Sequence, residues 1–170
     1  MGMDNEKGVT LVELLAAIVI TAIIGVIGYS VLASGFSTYD RVKEEAKLRD
    51  EADLIIATLI NELYPLKQSE IKELHVGGTD SYLVLKEDNA KIGFFNNNVI
   101  VRNREINLSD NTIRLATGSQ IREIGEGSGR YEIKLILESI QSGRTLETMS
   151  EIRVIVNTEQ EVENDETSNQ

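Results

Sequence analysis

The chain has 170 residues, 28 acidic against 17 basic, for a net charge of −11. That balance argues against gripping a nucleic-acid backbone, which needs clustered Lys and Arg. With no cysteine there is no disulfide framework and no thiol chemistry, and with 5% aromatics and no Trp a large aromatic binding face is not expected.

The first element is the apolar run after Lys7-Gly8-Val9-Thr10-Leu11-Val12-Glu13-Leu14-Leu15. After Glu13 the next charge is Asp40, and Leu14 to Tyr39 between them is rich in Ala, Ile, Val and Leu. Such a run is long enough to cross a bilayer core as one helix. An ordinary secretory signal would be shorter and would carry its small-residue cleavage site after the apolar segment. A plain anchor helix would explain the run but neither Gly8 nor Glu13. A carboxylate at the edge of such a run costs roughly 2.5–3.5 kcal/mol if it reaches the helix centre, and less near the interface. The simplest compensation is a cation, although an acid near a helix start also suits the helix dipole. Charges flanking the run do not fix an orientation: Lys7 is offset by Asp4 and Glu6, and Arg41 and Lys43 by Asp40, Glu44 and Glu45. Gly25 and Gly28 inside the run could allow close helix packing or a local bend, or could be filler.

From Phe36 the pattern becomes amphipathic. Phe36, Tyr39, Val42, Ala46, Ile56, Leu59, Ile60 and Leu63 recur three or four residues apart with charges between them. Pro65, the only proline, ends the helix, because it lacks an N–H and biases Tyr64 away from helical geometry. A helix from Thr10 to Leu63 would span roughly 80 Å at about 1.5 Å per residue. Its second half must therefore bury its stripe outside the bilayer.

After Pro65 come short alternating runs separated by turn residues. Candidate strands are Ile71–Val76, Tyr82–Lys86, Lys91–Phe95, Val99–Arg102, Ile106–Leu108, Ile113–Leu115, Ile121–Ile124, Tyr131–Leu137 and Ile152–Val156. An antiparallel sheet packed on the amphipathic half-helix makes the fold class α+β. The expected divisions are a leader over 1–8, an apolar helix over 9–35, an amphipathic half over 36–64 and a sheet domain over 65–157. The acidic tail, 158–170, lacks the apolar content to offset ordering entropy and is expected to be disordered.

Sites of chemistry are few. His75 stands alone without Cys or a second His, so neither zinc nor a catalytic dyad is expected. Gly125-Glu126-Gly127-Ser128-Gly129 lacks the Lys-Ser/Thr of a phosphate loop and joins strands, which makes it a connecting loop. Asp88-Asn89 and Asn96 to Asn98 hold oxygen atoms that calcium could use, but in no recognised spacing; they read as turns. No cofactor and no enzyme activity are expected.

The N-terminal residues together resemble the class III signal of type IV pilins and pseudopilins. In that family a short leader ends in Gly, cleavage follows it, and the fifth mature residue is Glu. Gly8, Val9 and Glu13 fall in those positions, with Thr10, Leu11 and the apolar run in register. Val9 stands where the family usually has Phe, and Asp4 and Glu6 make the leader less basic than usual. The resemblance implies cleavage by prepilin peptidase between Gly8 and Val9, N-methylation of Val9, and a long N-terminal helix lying on an antiparallel sheet. It implies a cytoplasmic leader, a single-pass anchor in membrane lipid and an exported C-terminal domain that ends in a pilus or pseudopilus at the cell surface. It also implies partners: other pilin or pseudopilin subunits and an inner-membrane assembly platform. Within the family, Glu13 would pair with the mature amino terminus of a neighbouring subunit. Two opposite charges ~4 Å apart attract by about 4 kcal/mol at an effective dielectric near 20, which matches the cost of inserting the acid. The segment Arg49–Leu63, the late strands and the acidic tail resemble minor subunits of type II secretion or competence (DNA-uptake) systems. The alternative is an anchored, exported binding domain that never polymerises, which needs neither Gly8 nor Glu13.

Overall fold

The computed structural model describes residues 10–156, and the 1–8 leader, Val9 and the 158–170 tail lie outside the described residues. The chain divides into two compact units, with the boundary between Lys43 and Glu44. Helix α1, Leu11–Leu63, runs through that boundary for 53 residues. No proline interrupts it, and it stops at Leu63, two residues before Pro65.

In the first unit the helix carries no charge between Glu13 and Asp40, and its apolar residues lie on every side. Leu11, Ile18, Ile24, Val31 and Leu32 are all more than half exposed. Thr21 and Thr38 turn their hydroxyls back on the carbonyls of Ala17 and Ser34, at 2.8 and 2.9 Å. That bond hides a polar group inside the helix's own backbone, which suits an apolar medium.

In the second unit the same helix becomes one-sided. Leu48, Ala52, Ile55, Ile56, Leu59 and Leu63 are buried, three or four residues apart. The amphipathic stripe expected from Phe36 therefore begins to bury side chains only at Leu48. Phe36, Tyr39 and Val42 are exposed and fall in the first unit, and Ala46 is exposed as well.

The strands form two antiparallel sheets rather than one. The first has the order β1-β2-β3-β4-β5, a plain meander of Ile71–Gly77, Asp80–Leu85, Lys91–Phe95, Asn98–Val101 and Arg104–Ile106. In the second, β8 (Arg130–Ser139) is the centre. β9 (Thr145–Arg153) pairs along its whole length on one side. β6 (Ile113–Leu115) and β7 (Gln120–Glu123) pair with successive stretches on the other. The break between them is closed by Ser119, whose hydroxyl accepts from the Ile136 N–H at 2.9 Å. One interrupted strand thus satisfies β8 almost as a continuous one would.

Core residues from both sheets meet the helix stripe, among them Leu83, Ile92, Phe94, Ile121, Ile133, Leu135 and Leu137, all fully buried. The sheets are joined at Ser81. Its hydroxyl donates to the Ile121 carbonyl and accepts from the Ile121 N–H, both at 2.8 Å, so a buried side chain replaces a missing ladder partner. Gly93, at φ +140°, makes the close approach possible. A Cβ there would stand 2.5 Å from the Ser81 carbonyl oxygen and 3.1 Å from Ile121 Cδ1.

On the outer face of the second sheet, like charges stand directly opposite each other: Arg130 beside Arg153, and Glu132 beside Glu151. Cross-strand pairing removes the conflict. Arg130 binds Glu151 at 2.6 Å, Arg122 binds Glu132 at 2.7 Å, Lys134 binds Glu147 at 2.9 Å and Arg114 binds Glu138 at 2.9 Å. Being solvated, these pairs fix register more than they add stability.

Candidate assembly site

Glu13 occupies the third position of α1, and Thr10 precedes the helix. The Thr10 N–H donates to Glu13 Oε2 at 3.0 Å, and the Thr10 hydroxyl donates to the same oxygen at 3.1 Å. In return the Glu13 N–H donates to Thr10 Oγ1 at 3.3 Å. This is a capping box, and it satisfies backbone donors that a helix start leaves orphaned. The Thr-x-x-Glu spacing that signals it stands in the sequence as Thr10 and Glu13. Glu13 Oε1 has no hydrogen-bond partner among the described residues. The acid therefore spends one oxygen on its own helix and keeps the other for a further donor.

Gly8 and Val9 lie outside the described residues, so the proposed cleavage bond and the methylation position have no geometry here. Gly25 and Gly28 have no atom within 4 Å of where a Cβ would stand. They are simply open on the helix surface, like the apolar side chains around them. Over this stretch α1 is long and apolar enough to cross a membrane.

The other expected positions do local structural work. His75 stacks on Tyr82 with ring centroids 4.9 Å apart, while Tyr82 meets Phe95 edge-on and Lys91 lies 4.1 Å from the Phe95 centroid. Asp88 accepts from the Ala90 N–H at 2.9 Å, and Asn89 accepts from Lys72 Nζ at 2.9 Å. Asn96 and Asn97 take positive φ in the β3–β4 turn, and Gly125 to Gly129 connects β7 to β8. Among the described residues no group of three or more His, Cys, Asp or Glu side chains is placed to hold a metal.

A second set of polar contacts fastens the helix where its buried stripe begins. Glu44 accepts from the hydroxyl of Ser139, from the hydroxyl of Ser142 at 2.5 Å and from Arg144 Nη1 at 3.1 Å. Lys47 binds Asp110 at 2.7 Å. Glu51, 5% exposed, accepts from the Ser109 N–H at 2.9 Å. The hydroxyls of Ser139 and Ser142, then Arg144, hold the Glu44 carboxyl below the usual range. Hydrogen bonds from Lys47 and Thr112 hold that of Asp110 well below it. Sequence gave no sign of this clamp, because its partners lie 58 to 100 residues apart.

The family comparison bears on the N-terminal end of this arrangement. A family model described as the prokaryotic N-terminal methylation motif matches residues 3–29. Residues 3–29 are a type IV pilin-like prepilin signal. The prepilin signal takes in Glu13, Thr10 and the first half of the exposed apolar helix. It supports a type IV pilin or pseudopilin that is processed by prepilin peptidase and assembles with other pilin subunits. Proteins of that kind are structural subunits rather than enzymes. A prepilin signal on a helix this apolar fits membrane anchoring and a surface pilus. No curated protein and no solved structure matches the chain.

Proposed function

We propose that this chain is a minor pilin or pseudopilin of a type IV pilus, a type II secretion pseudopilus or a competence pseudopilus. It is inserted through α1 with residues 44–156 exported, cut between Gly8 and Val9, and moved from membrane lipid into the filament by an inner-membrane assembly platform. The observation that carries this reading is the coincidence of the prepilin signal with a helix whose apolar side chains stay exposed. Those side chains need lipid before assembly and neighbouring helices after it. Removal of the leader exposes an α-ammonium at Val9, which is then methylated. Glu13 Oε1 receives the ammonium of an adjacent subunit while Oε2 continues to cap the helix.

The test is a Glu13→Ala variant expressed beside its partner subunits. The expected result is a processed chain that stays in the membrane and is missing from sheared filaments, with incorporation reduced at least tenfold. Glu13→Gln retains the cap but not the charge and is expected to be missing as well. Normal incorporation of both variants rejects the ion pair, whereas absence of the unaltered chain from the filaments favours an anchored domain that does not polymerise.

A further inference from the structure

The chain contains a single Asn-x-Ser/Thr tripeptide, Asn107-Leu108-Ser109, between β5 and β6. Such a tripeptide, with a middle residue other than Pro, is the acceptor pattern for N-linked glycan transfer. Alone the pattern is weak, but here the structure presents it in a particular way. From Glu105 to Ser109 burial alternates: Glu105, Asn107 and Ser109 are exposed, whereas Ile106 and Leu108 are partly buried against the core. The two apolar side chains pin the segment and hold the other three on its solvent side, as an extended chain requires. The side chains of Glu105, Asn107 and Ser109 make no hydrogen bond with any described residue. The Ser109 backbone N–H is bound to Glu51, which fixes the main chain and leaves the hydroxyl available. Among the described residues β5 pairs only with β4, and the segment borders a concavity of about 300 Å³.

We infer that Asn107 is an acceptor site for N-linked glycosylation by a membrane oligosaccharyltransferase. The co-substrate is a glycan carried on a polyprenyl pyrophosphate. The Asn107 amide nitrogen forms a bond to C1 of the first sugar as the bond from C1 to the pyrophosphate oxygen breaks. Polyprenyl pyrophosphate leaves with the bonding pair, and the proton lost from the amide passes to the transferase. The Ser109 hydroxyl, two residues on, is the group by which the enzyme selects this Asn. The exposed Glu105 carboxylate, two residues before, gives a third recognition group on the same side. The proposal rests on export of residues 44–156.

The experiment uses the full chain, produced in cells that carry such a transferase, its lipid-linked glycan and a glycosylated reporter as positive control. Intact mass and peptide mapping are expected to show one added glycan, on the peptide containing Asn107. Asn107→Gln and Ser109→Ala lose that mass, Ser109→Thr keeps it, and Glu105→Ala lowers occupancy at least fivefold. The thermal melts of all four variants are expected to match that of the parent. A single unmodified mass from cells whose reporter is glycosylated, or a glycan that persists in Asn107→Gln, overturns the proposal. Protease accessibility of the same cells reads export separately, so a failure of export is distinguishable from a failure of modification.

Discussion

One helix serves two environments. From Leu11 to Lys43 its apolar residues point in every direction and remain exposed; from Glu44 to Leu63 they form a stripe against a packed core. The local backbone is the same in both stretches, and what differs is the number of faces that carry charge. The apolar side chains of the first stretch are exposed, which suits lipid or contact with other helices. The second is held by burial, by the side chains that bind Glu44 and Lys47, and by the Ser109 backbone N–H that Glu51 accepts.

The strongest way to break that contrast is to truncate an apolar residue in each stretch. Leu59 is fully buried, so Leu59→Ala is expected to cost about 2–5 kcal/mol in urea unfolding of the sheet unit. Ile24 is 63% exposed, and Ile24→Ala is expected to leave the same transition unchanged. Equal losses from the two variants would mean that the first stretch shares the core of the second.

Next in size is Ser81, which holds the two sheets together. Ser81→Ala leaves both the N–H and the carbonyl of Ile121 without their partner, in a fully buried position. The expected loss is about 1–3 kcal/mol. Chemical unfolding curves measure it, and a loss near zero would show that another donor and acceptor replace the hydroxyl.

A smaller effect sharpens the position of the boundary. Glu44 and Asp110 have carboxyls held below their ordinary range, so their contribution is fully present above the unfolded carboxylate pKa of about 4. It is lost as pH falls through the lower folded values. The melting temperature is therefore expected to drop on acidification below that range. Glu44→Gln is expected to flatten the slope, whereas Asp40→Asn, in the first unit, leaves it as it was. Tyr131, pushed up to about 12 by burial and then by Glu123, adds no change at neutral pH.

Much of this architecture is legible in residue order. The helix end before Pro65, and the strands Lys91–Phe95 and Ile113–Leu115, follow from a missing N–H and from β-branched alternation. β5 is displaced by two residues, to Arg104–Ile106, because Arg102 and Asn103 both take positive φ in the preceding turn. Arginine is not a residue that announces such a turn. The pattern predicts a last strand over Ile152–Val156, whereas β9 runs Thr145–Arg153. Its Glu147, Met149 and Glu151 face solvent, and its register comes from β8 and cross-strand ion pairs rather than from its own hydropathy. The junction between the two sheets rests on Ser81, and the continuity alongside β8 on Ser119, whose hydroxyls take backbone partners far along the chain. At the candidate assembly site Glu13 stands out by its charge, and Thr10 is readable through the capping-box spacing.

The identity of the first residue of the chain recovered from membranes tests the central claim most directly. Intact mass and N-terminal sequencing, after co-expression with an active prepilin peptidase, are expected to show that Met1 to Gly8 is gone and that the chain begins at Val9, with or without an added methyl group. A chain that still begins at Met1, beside a known prepilin that the same peptidase has processed, would contradict the account.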